Sequence, residues 1–91
     1  MYYLYLLRCR DNSLYCGQTK DLKKRVEEHN LGKTKSAKYT RGRRPVVLAY
    51  FETHKNLSAV LKREIEVKKY SKIKKEKLIS ESSGQNLDQL T

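Results

Sequence analysis

Two tyrosine-rich segments near the N-terminus constrain the fold more than any other part of the chain. Tyr2 to Cys9 contains only Tyr, Leu, Arg and Cys, and Leu14 to Thr19 is a second apolar segment. Both are typical of β-strands, the first of a buried one. The residues between them, Arg-Asp-Asn-Ser at 10–13, form a turn cluster. Because this connection is short, we predict an antiparallel hairpin.

Within the hairpin, the phenol groups of Tyr5 and Tyr15 are expected on one face. Side chains alternate across a strand, and a turn that places Cys9 opposite Tyr15 also places Tyr5 opposite Thr19. Gly17 would then leave space between the two phenols, whereas a one-residue slip would separate them. Two phenols can simply pack, or they can supply hydrogen bonds and proton transfer to an active site. The hairpin alone leaves both interpretations open.

The remaining segments alternate between helical and extended patterns. The first is a helix capped by Asp21 that runs to about Asn30 and stops at Gly32, followed by a basic stretch at 33–44 with one short helical turn. A strand then runs from Val46 to Glu52 after Pro45. Two helices follow, one capped by Asn56 or Ser58 that runs to about Lys69, and one from Lys72 to Ser80. The order β-β-α-(α)-β-α-α predicts one α+β domain over residues 1–80, a three-stranded antiparallel sheet flanked by helices. The Ser, Gly, Gln and Asn content of 81–91 predicts a flexible C-terminal tail.

The charge balance indicates a polyanionic partner. The chain has 21 Lys and Arg against 10 Asp and Glu, a formal net charge of +11 over 91 residues. A membrane partner is not expected, because no apolar run approaches the ~20 residues that span a bilayer. Arg8 and Arg10 exclude a signal peptide, and Cys9 and Cys16 build neither a disulfide framework nor a zinc site. We expect a reduced, cytoplasmic protein that binds nucleic acid.

Arg25 and His29 are spaced i, i+4 and therefore lie on one face of the first helix. Leu22 and Val26 mark the buried side of that helix, which places Arg25 and His29 near its edge. A guanidinium beside an imidazole suits phosphate binding and proton transfer. The alternative is an ordinary solvated basic face, since Lys23 and Lys24 precede Arg25.

Glu64 is the residue that fits its helix least well. At 3.6 residues per turn it falls within the apolar stripe formed by Leu57, Val60, Leu61, Ile65 and Val67. An unpaired buried carboxylate is costly, so Glu64 needs a cation. That cation is either Lys68, which follows at i+4, or a divalent metal such as Mg²⁺, which accepts a single carboxylate and completes its shell with water and phosphate oxygens.

Taken in order, these residues resemble the GIY-YIG nuclease domain, in particular its short stand-alone bacterial members. The resemblance rests on two tripeptides, Tyr3-Leu4-Tyr5 and Tyr15-Cys16-Gly17, the second of which begins ten residues after Tyr5. It also rests on Arg25, His29 and Glu64, and on the segment 37–45. The chain departs from the motif at three places: Tyr3 replaces a glycine, and Leu4 and Cys16 replace isoleucines. It has no convincing counterpart of the Asn that some members place after the metal-binding Glu.

The resemblance implies a metal-dependent DNA endonuclease. It assigns Tyr5, Tyr15, Arg25 and His29 to catalysis, with Arg25 neutralising the scissile phosphate, Gly17 keeping the site open and Glu64 holding one Mg²⁺ or Mn²⁺ ion. One of the two tyrosines would accept a proton from the attacking water if neighbouring cations lowered its pKa from about 10, and His29 would orient the water or relay the proton.

The basic segment before the third strand is the predicted nucleic-acid contact, through Lys33, Lys35, Lys38, Tyr39, Arg41, Arg43 and Arg44. Contacts of this kind read the phosphate backbone and not the sequence. We therefore expect a monomer that acts on DNA, including branched or damaged DNA, with RNA as a second candidate and any protein partner unspecified. The alternative function is a nucleic-acid-binding module that keeps the fold with weak or no cleavage.

Overall fold

A computed structural model describes residues 1–32 and 38–82 of the chain. Its elements in order are β1 (Tyr2–Arg8), β2 (Leu14–Thr19), α1 (Leu22–Leu31), α2 (Lys38–Arg41), β3 (Val47–His54), α3 (Leu57–Lys68) and α4 (Lys72–Glu81). The strands form one antiparallel sheet in the order β2-β1-β3. The predicted α+β class and the β-β-α-α-β-α-α order are confirmed, including the short helix in the basic segment.

Element boundaries differ from the sequence-based prediction by one or two residues. β1 ends at Arg8 and not at Cys9, and β3 extends to His54 instead of ending at Glu52. Asn56, one of the two candidate caps, begins α3 by accepting a hydrogen bond from the Ala59 amide at 2.8 Å. Glu81 belongs to α4 and not to the predicted tail, of which residues 83–91 lie outside the described residues.

The hairpin register is shifted by two residues from the predicted one. Tyr5 pairs with Gly17 and not with Thr19. The shift arises in the loop, where the Cys9 amide donates to the Ser13 carbonyl at 2.9 Å and Asn12 adopts the left-handed conformation at φ 69°. Cys9 therefore lies opposite Ser13 and not opposite Tyr15. Since the shift is even, every side chain stays on its predicted face.

The sheet separates two hydrophobic cores. Leu4 and Leu6 of β1 face α3 and α4 and pack with Val60 and Val67. The alternate residues of β1 face α1, where Tyr5, Leu7 and Cys9 pack with Leu22 and Val46. The predicted face shared by Tyr5, Leu7 and Cys9 is therefore observed, and it is the α1 side of the sheet. In the described ranges, 1–32 and 38–82, no helix is both long and apolar enough to cross a membrane.

Capping interactions fix the position of α1 over this second core. The Asp21 side chain accepts a hydrogen bond from the Lys24 amide at 3.1 Å, and Gly32 ends the helix in the left-handed conformation at φ 66°. In the last turn, the Asn30 side chain brackets Val46, donating to its carbonyl at 2.9 Å and accepting from its amide at 2.7 Å. This bracket ties the end of α1 to the entry of β3.

Candidate active site

A buried chain of hydrogen bonds runs from β1 through α1 to α2. The Tyr5 hydroxyl lies 3.0 Å from His29 Nε2, and His29 Nδ1 lies 2.8 Å from Thr40 Oγ1. His29 and Thr40 are completely inaccessible to solvent, and Tyr5 is 1% exposed. The structure thus brings together Tyr5 and His29, two of the predicted catalytic residues, in direct contact.

Arg25 completes this chain at the Tyr5 end. Its guanidinium lies close enough to the Tyr5 hydroxyl to lower the pKa of that phenol, and it forms an ion pair with Glu28 at 3.3 Å. Because a guanidinium only donates, the Tyr5 oxygen is the acceptor in any contact with Arg25. In the matching assignment, the Tyr5 hydroxyl donates to His29 Nε2, and His29 Nδ1–H donates to Thr40.

The pKa of Tyr5 moves in the direction opposite to the one predicted for a general base. Burial raises the pKa of the Tyr5 phenol well above 10, and the neighbouring Arg25 lowers it only in part. The desolvation cost of a phenolate on the α1 side of the sheet exceeds the attraction of one cation. The condition set for a tyrosine base is therefore not met at Tyr5, which is suited to act as a hydrogen-bond donor.

His29 is more buried than its predicted position at the helix edge. Burial, followed by the positive charge of Arg25, lowers the pKa of His29 to about 4, so the imidazole is neutral near pH 7. Both ring nitrogens are engaged by protein hydroxyls. The predicted role in orienting water stays a prediction that these two contacts do not support, whereas a relay of protons through the Tyr5 hydroxyl is compatible with the geometry.

Gly17 provides the space in which the Tyr5 hydroxyl sits. A Cβ atom at this position would lie 2.5 Å from Tyr5 Oη and 3.2 Å from Tyr15 Cε2. The two phenol rings are 6.4 Å apart, and the Tyr15 ring is 5.2 Å from the His29 ring. The predicted arrangement of Tyr5, Gly17 and Tyr15 on one side of the hairpin is thus present, with Tyr15 the more accessible of the two tyrosines.

Thr40 is the site residue that sequence reasoning missed. It is one of three small hydroxylated residues in the basic segment, with Thr34 and Ser36, and its burial against His29 depends on how α2 folds back onto α1. Its neighbour Tyr39 stacks on Tyr15 with ring centroids 5.8 Å apart. The short helix α2 therefore positions both His29 and Tyr15.

Glu64 approaches the sheet from the opposite face. It lies on α3 between the buried residues Val60 and Val67, with 19% of its side chain exposed, and pairs with Lys68 at 3.6 Å. Burial and then the charge of Glu64 raise the pKa of Cys16 to about 11, which places the carboxylate near the edge strand β2. Cys16 stands between Tyr15 and Gly17 in sequence, so Glu64 reaches the same strand as these residues from its other side.

The donor groups around Glu64 limit which metal this protein can hold. Among residues 1–32 and 38–82 there is no group of three or more His, Cys, Asp or Glu side chains that could hold a metal ion. A site built from several protein ligands, as for zinc, does not fit these residues. A single carboxylate does fit Mg²⁺ or Mn²⁺, for which water and substrate oxygens supply the remaining ligands.

The predicted nucleic-acid contacts divide into two groups. Lys38 and Arg41 are exposed on α2, whereas Lys33 and Lys35 lie outside the described residues. Two arginines make internal contacts. Arg43 pairs with Asp11 at 3.1 Å and covers the Tyr39 ring at 4.0 Å.

Arg44 donates to the backbone carbonyls of Arg41, Asn30 and Leu31 at 3.0, 3.3 and 3.2 Å. These bonds satisfy carbonyl groups at the end of α1 that have no partner within the helix. Arg44 therefore has a structural function in addition to its predicted one.

Comparison with known proteins identifies the family of this chain. The model of the GIY-YIG catalytic domain matches residues 1–77 of the chain. A UPF0213 protein of Haloquadratum walsbyi is 48% identical over 85 residues, covering 93% of both chains. One from Staphylococcus saprophyticus is 51% identical over 80 residues, covering 88% of this chain and 95% of the relative.

A solved structure extends the comparison to three dimensions. The solution NMR structure of a UPF0213 protein from Bacillus halodurans superimposes with a TM-score of 0.55 at 42% identity, over 88% of this chain and 84% of that one. Both the family model and the curated relatives span nearly the whole domain. The chain therefore belongs to the GIY-YIG catalytic domain family, among relatives that carry the UPF0213 name.

Proposed function

We propose that this protein is a metal-dependent endonuclease that hydrolyses DNA phosphodiester bonds and recognises backbone or structure instead of sequence. The observation that carries this proposal is the Tyr5 hydroxyl, buried beside Gly17, hydrogen-bonded to His29 and close to the Arg25 guanidinium. A cation and a proton relay that share one phenol are more than a folding core requires. They match what phosphoryl transfer needs, namely charge stabilisation and a path for protons.

In this mechanism each residue has a separate task. Arg25, with 24% of its side chain exposed, binds the scissile phosphate and offsets the charge that builds up as water attacks phosphorus. Tyr5 donates a hydrogen bond and is held in place by neutral His29. Tyr15, the more accessible phenol, is the general base that takes the proton of the attacking water while the bond from phosphorus to the leaving oxygen breaks. A Mg²⁺ or Mn²⁺ ion held by Glu64, water and substrate oxygens would supply further charge stabilisation.

The alternative is a nucleic-acid-binding module that retains the fold without efficient cleavage. Two observations favour it. Glu64 is already paired with Lys68 at 3.6 Å, and burial raises the pKa of Tyr5. In either case the substrate class is nucleic acid, and DNA that is branched or damaged, RNA, a monomeric state and a cytoplasmic location stay predictions.

Cleavage assays with matched variants test the proposal. We expect wild-type protein to nick plasmid or branched DNA with Mg²⁺ or Mn²⁺, and Arg25→Ala to lose at least about 100-fold in rate. Lys24→Ala, which removes an exposed cation from the same helix, should change the rate by less than about threefold. Glu64→Gln should abolish the metal-dependent cleavage, whereas Tyr3→Phe, which removes a phenol hydroxyl on the same face of β1, should leave cleavage intact.

The outcomes test the role of Arg25 and separate the two candidate functions. Equal rates for Arg25→Ala and wild type would remove Arg25 from the catalytic site. A wild-type protein that binds DNA but cleaves none of these substrates with either metal would support the binding module. Because Glu64→Gln keeps the size of the side chain, an unchanged thermal unfolding curve would show that its effect is chemical.

A further inference from the structure

An arginine-lined depression lies on the side of α2 away from Tyr15. Tyr39 of α2 stacks on Tyr15, and Arg41 follows two residues later, on the opposite side of the helix. The depression has a volume of about 480 Å³, is open to solvent and is lined by Arg10, Asn30, Arg41, Gly42, Arg44 and Pro45. Three of these six residues are arginines, and none is acidic.

Hydrogen bonds to backbone groups hold the walls of this depression in place. The Arg10 amide donates to the Arg43 carbonyl at 2.9 Å, which joins the β1–β2 loop to the segment after α2. Arg44 bonds to the carbonyls at the end of α1, and the Asn30 side chain is bracketed against Val46. The guanidinium groups are therefore carried by a rigid frame and not by a loose loop.

We propose that this depression binds a backbone phosphate of a nucleic-acid strand, at a position beside the one held by the catalytic residues. Three like charges around one concavity repel each other, and an oxyanion removes that repulsion. Guanidinium forks match the oxygen geometry of phosphate. The open shape admits a phosphodiester whose chain continues in both directions, as a strand requires.

The depression is linked directly to the candidate active site. Asn30 follows His29, and Arg41 follows Thr40, so the two sites use opposite sides of the same last turn of α1 and the same short helix α2. A phosphate held here sets the position of the strand relative to Tyr5 without an intervening flexible segment. That the bound strand is also the strand to be cleaved rests on the proposed function. Phosphate binding itself does not, because it requires no cleavage.

The test removes two charges from the depression and two from elsewhere. Arg10→Gln with Arg41→Gln changes two of the three exposed arginines of the depression, and Arg44 is left intact because it caps α1. The control, Lys62→Gln with Lys69→Gln, removes the same charge at exposed positions at and after α3, on the other face of the sheet. The probe is a fluorescent single-stranded oligonucleotide of about 12 nucleotides.

We expect the arginine pair to weaken oligonucleotide binding by about tenfold or more and to lower the salt slope of log Kd by about 1 to 2. The control pair should change affinity by less than about twofold. Equal losses in the two pairs would overturn the proposal, because they would show a diffuse charge effect. Coincident unfolding curves exclude misfolding, and Arg10→Gln alone serves if the double variant is unstable.

NMR spectra of the wild type locate the bound phosphate. Titration with the oligonucleotide should shift the Gly42 amide and the Asn30 side-chain amide, and inorganic phosphate should shift the same signals more weakly. Unmoved signals at both residues would overturn the proposal. If no cleavage is found and the arginine pair still weakens binding selectively, the phosphate site stands and the proposed nuclease fails. Where cleavage occurs, the arginine pair should raise KM and leave kcat unchanged.

Discussion

The Tyr5 hydroxyl occupies the space that a side chain at position 17 would need. In Gly17→Ala the new Cβ would meet Tyr5 Oη at 2.5 Å and Cζ at 2.6 Å, so the phenol must move away from His29 and Arg25. We expect a loss of about 1–3 kcal/mol in the free energy of unfolding together with loss of cleavage. Urea denaturation and the nicking assay measure the two effects. Gly42→Ala, where a Cβ meets nothing within 4 Å, is the stability control and should be close to neutral.

The relation between Gly17 and Tyr5 was predictable, whereas the state of His29 was not. Strand alternation fixes which side chains share a face, and it survived a register error because that error was even. The burial of His29 depends on Thr40, which lies 11 residues away on a separate helix. Local patterns carry no information about such a contact, so both the neutral imidazole and the high pKa of Tyr5 required the structure.

His29 also makes stability depend on pH. Its pKa is lowered from 6.5 to about 4 in the folded state, so between these values the unfolded chain binds the proton and the folded protein does not. The contribution of His29 is therefore fully present above pH 6.5 and is lost as the pH falls toward 4, with a slope of up to about 1.4 kcal/mol per pH unit. Chemical denaturation from pH 7 to 4.5 measures this slope. His29→Gln should flatten it, and equal slopes for wild type and His29→Gln would refute the assignment.

At the scale of elements, α4 combines partial packing with an ion pair, since Leu78 and Ile79 pack half-buried against the core that contains Leu4 and Leu6. None of its residues is fully buried, and Arg8 of β1 donates to both carboxylate oxygens of Glu76, at 2.7 and 2.6 Å. Arg8 and then Lys72 lower the pKa of Glu76 to about 2, so this contribution exists above pH 4.5 and disappears as the pH falls through 2.

Glu76→Gln should therefore loosen α4 at neutral pH. Because the pair is partly exposed, at 30% and 34% for the two side chains, we expect a loss of only about 1 kcal/mol. In the Glu76→Gln variant, hydrogen exchange of the α4 amides should be faster than in the wild type, whereas exchange of the α1 amides should not change. Glu81→Gln breaks a longer, more exposed pair with Lys77 at 3.9 Å and should change stability by less than about 0.5 kcal/mol. Comparable losses in the two variants would argue against a specific clamp.

The helix α3 illustrates what periodicity can and cannot predict. The apolar pattern correctly indicates a helix, and it places Glu64 on the same side as Val60 and Val67. Other apolar residues of the pattern, Leu61 at 38% and Ile65 at 59%, are nevertheless exposed. A helical pattern also does not state which face of a sheet the helix covers. The placement of Glu64 on the side opposite to Tyr5 therefore follows from the topology alone.

At the scale of the whole molecule, charge acts on folding and on binding in opposite directions. A net charge of +11 on 91 residues repels itself when the chain folds into a body with a radius of gyration of 12.3 Å. The same charge attracts the phosphate backbone of nucleic acid. Salt screens both interactions, since the Debye length falls to about 10 Å at 0.1 M.

We therefore expect opposite responses when monovalent salt is raised from about 0.05 to about 0.3 M. The Tm of the free protein should rise by about 2–5 °C, because self-repulsion is screened, and affinity for a random-sequence DNA duplex should fall by about 100-fold or more. Calorimetry and fluorescence anisotropy on the same samples measure the two effects. Lys62→Gln with Lys69→Gln lowers the net charge to +9 and should reduce the gain in Tm. A Tm that falls with salt would mean that ion pairs such as Arg8–Glu76 outweigh the repulsion of the excess positive charge.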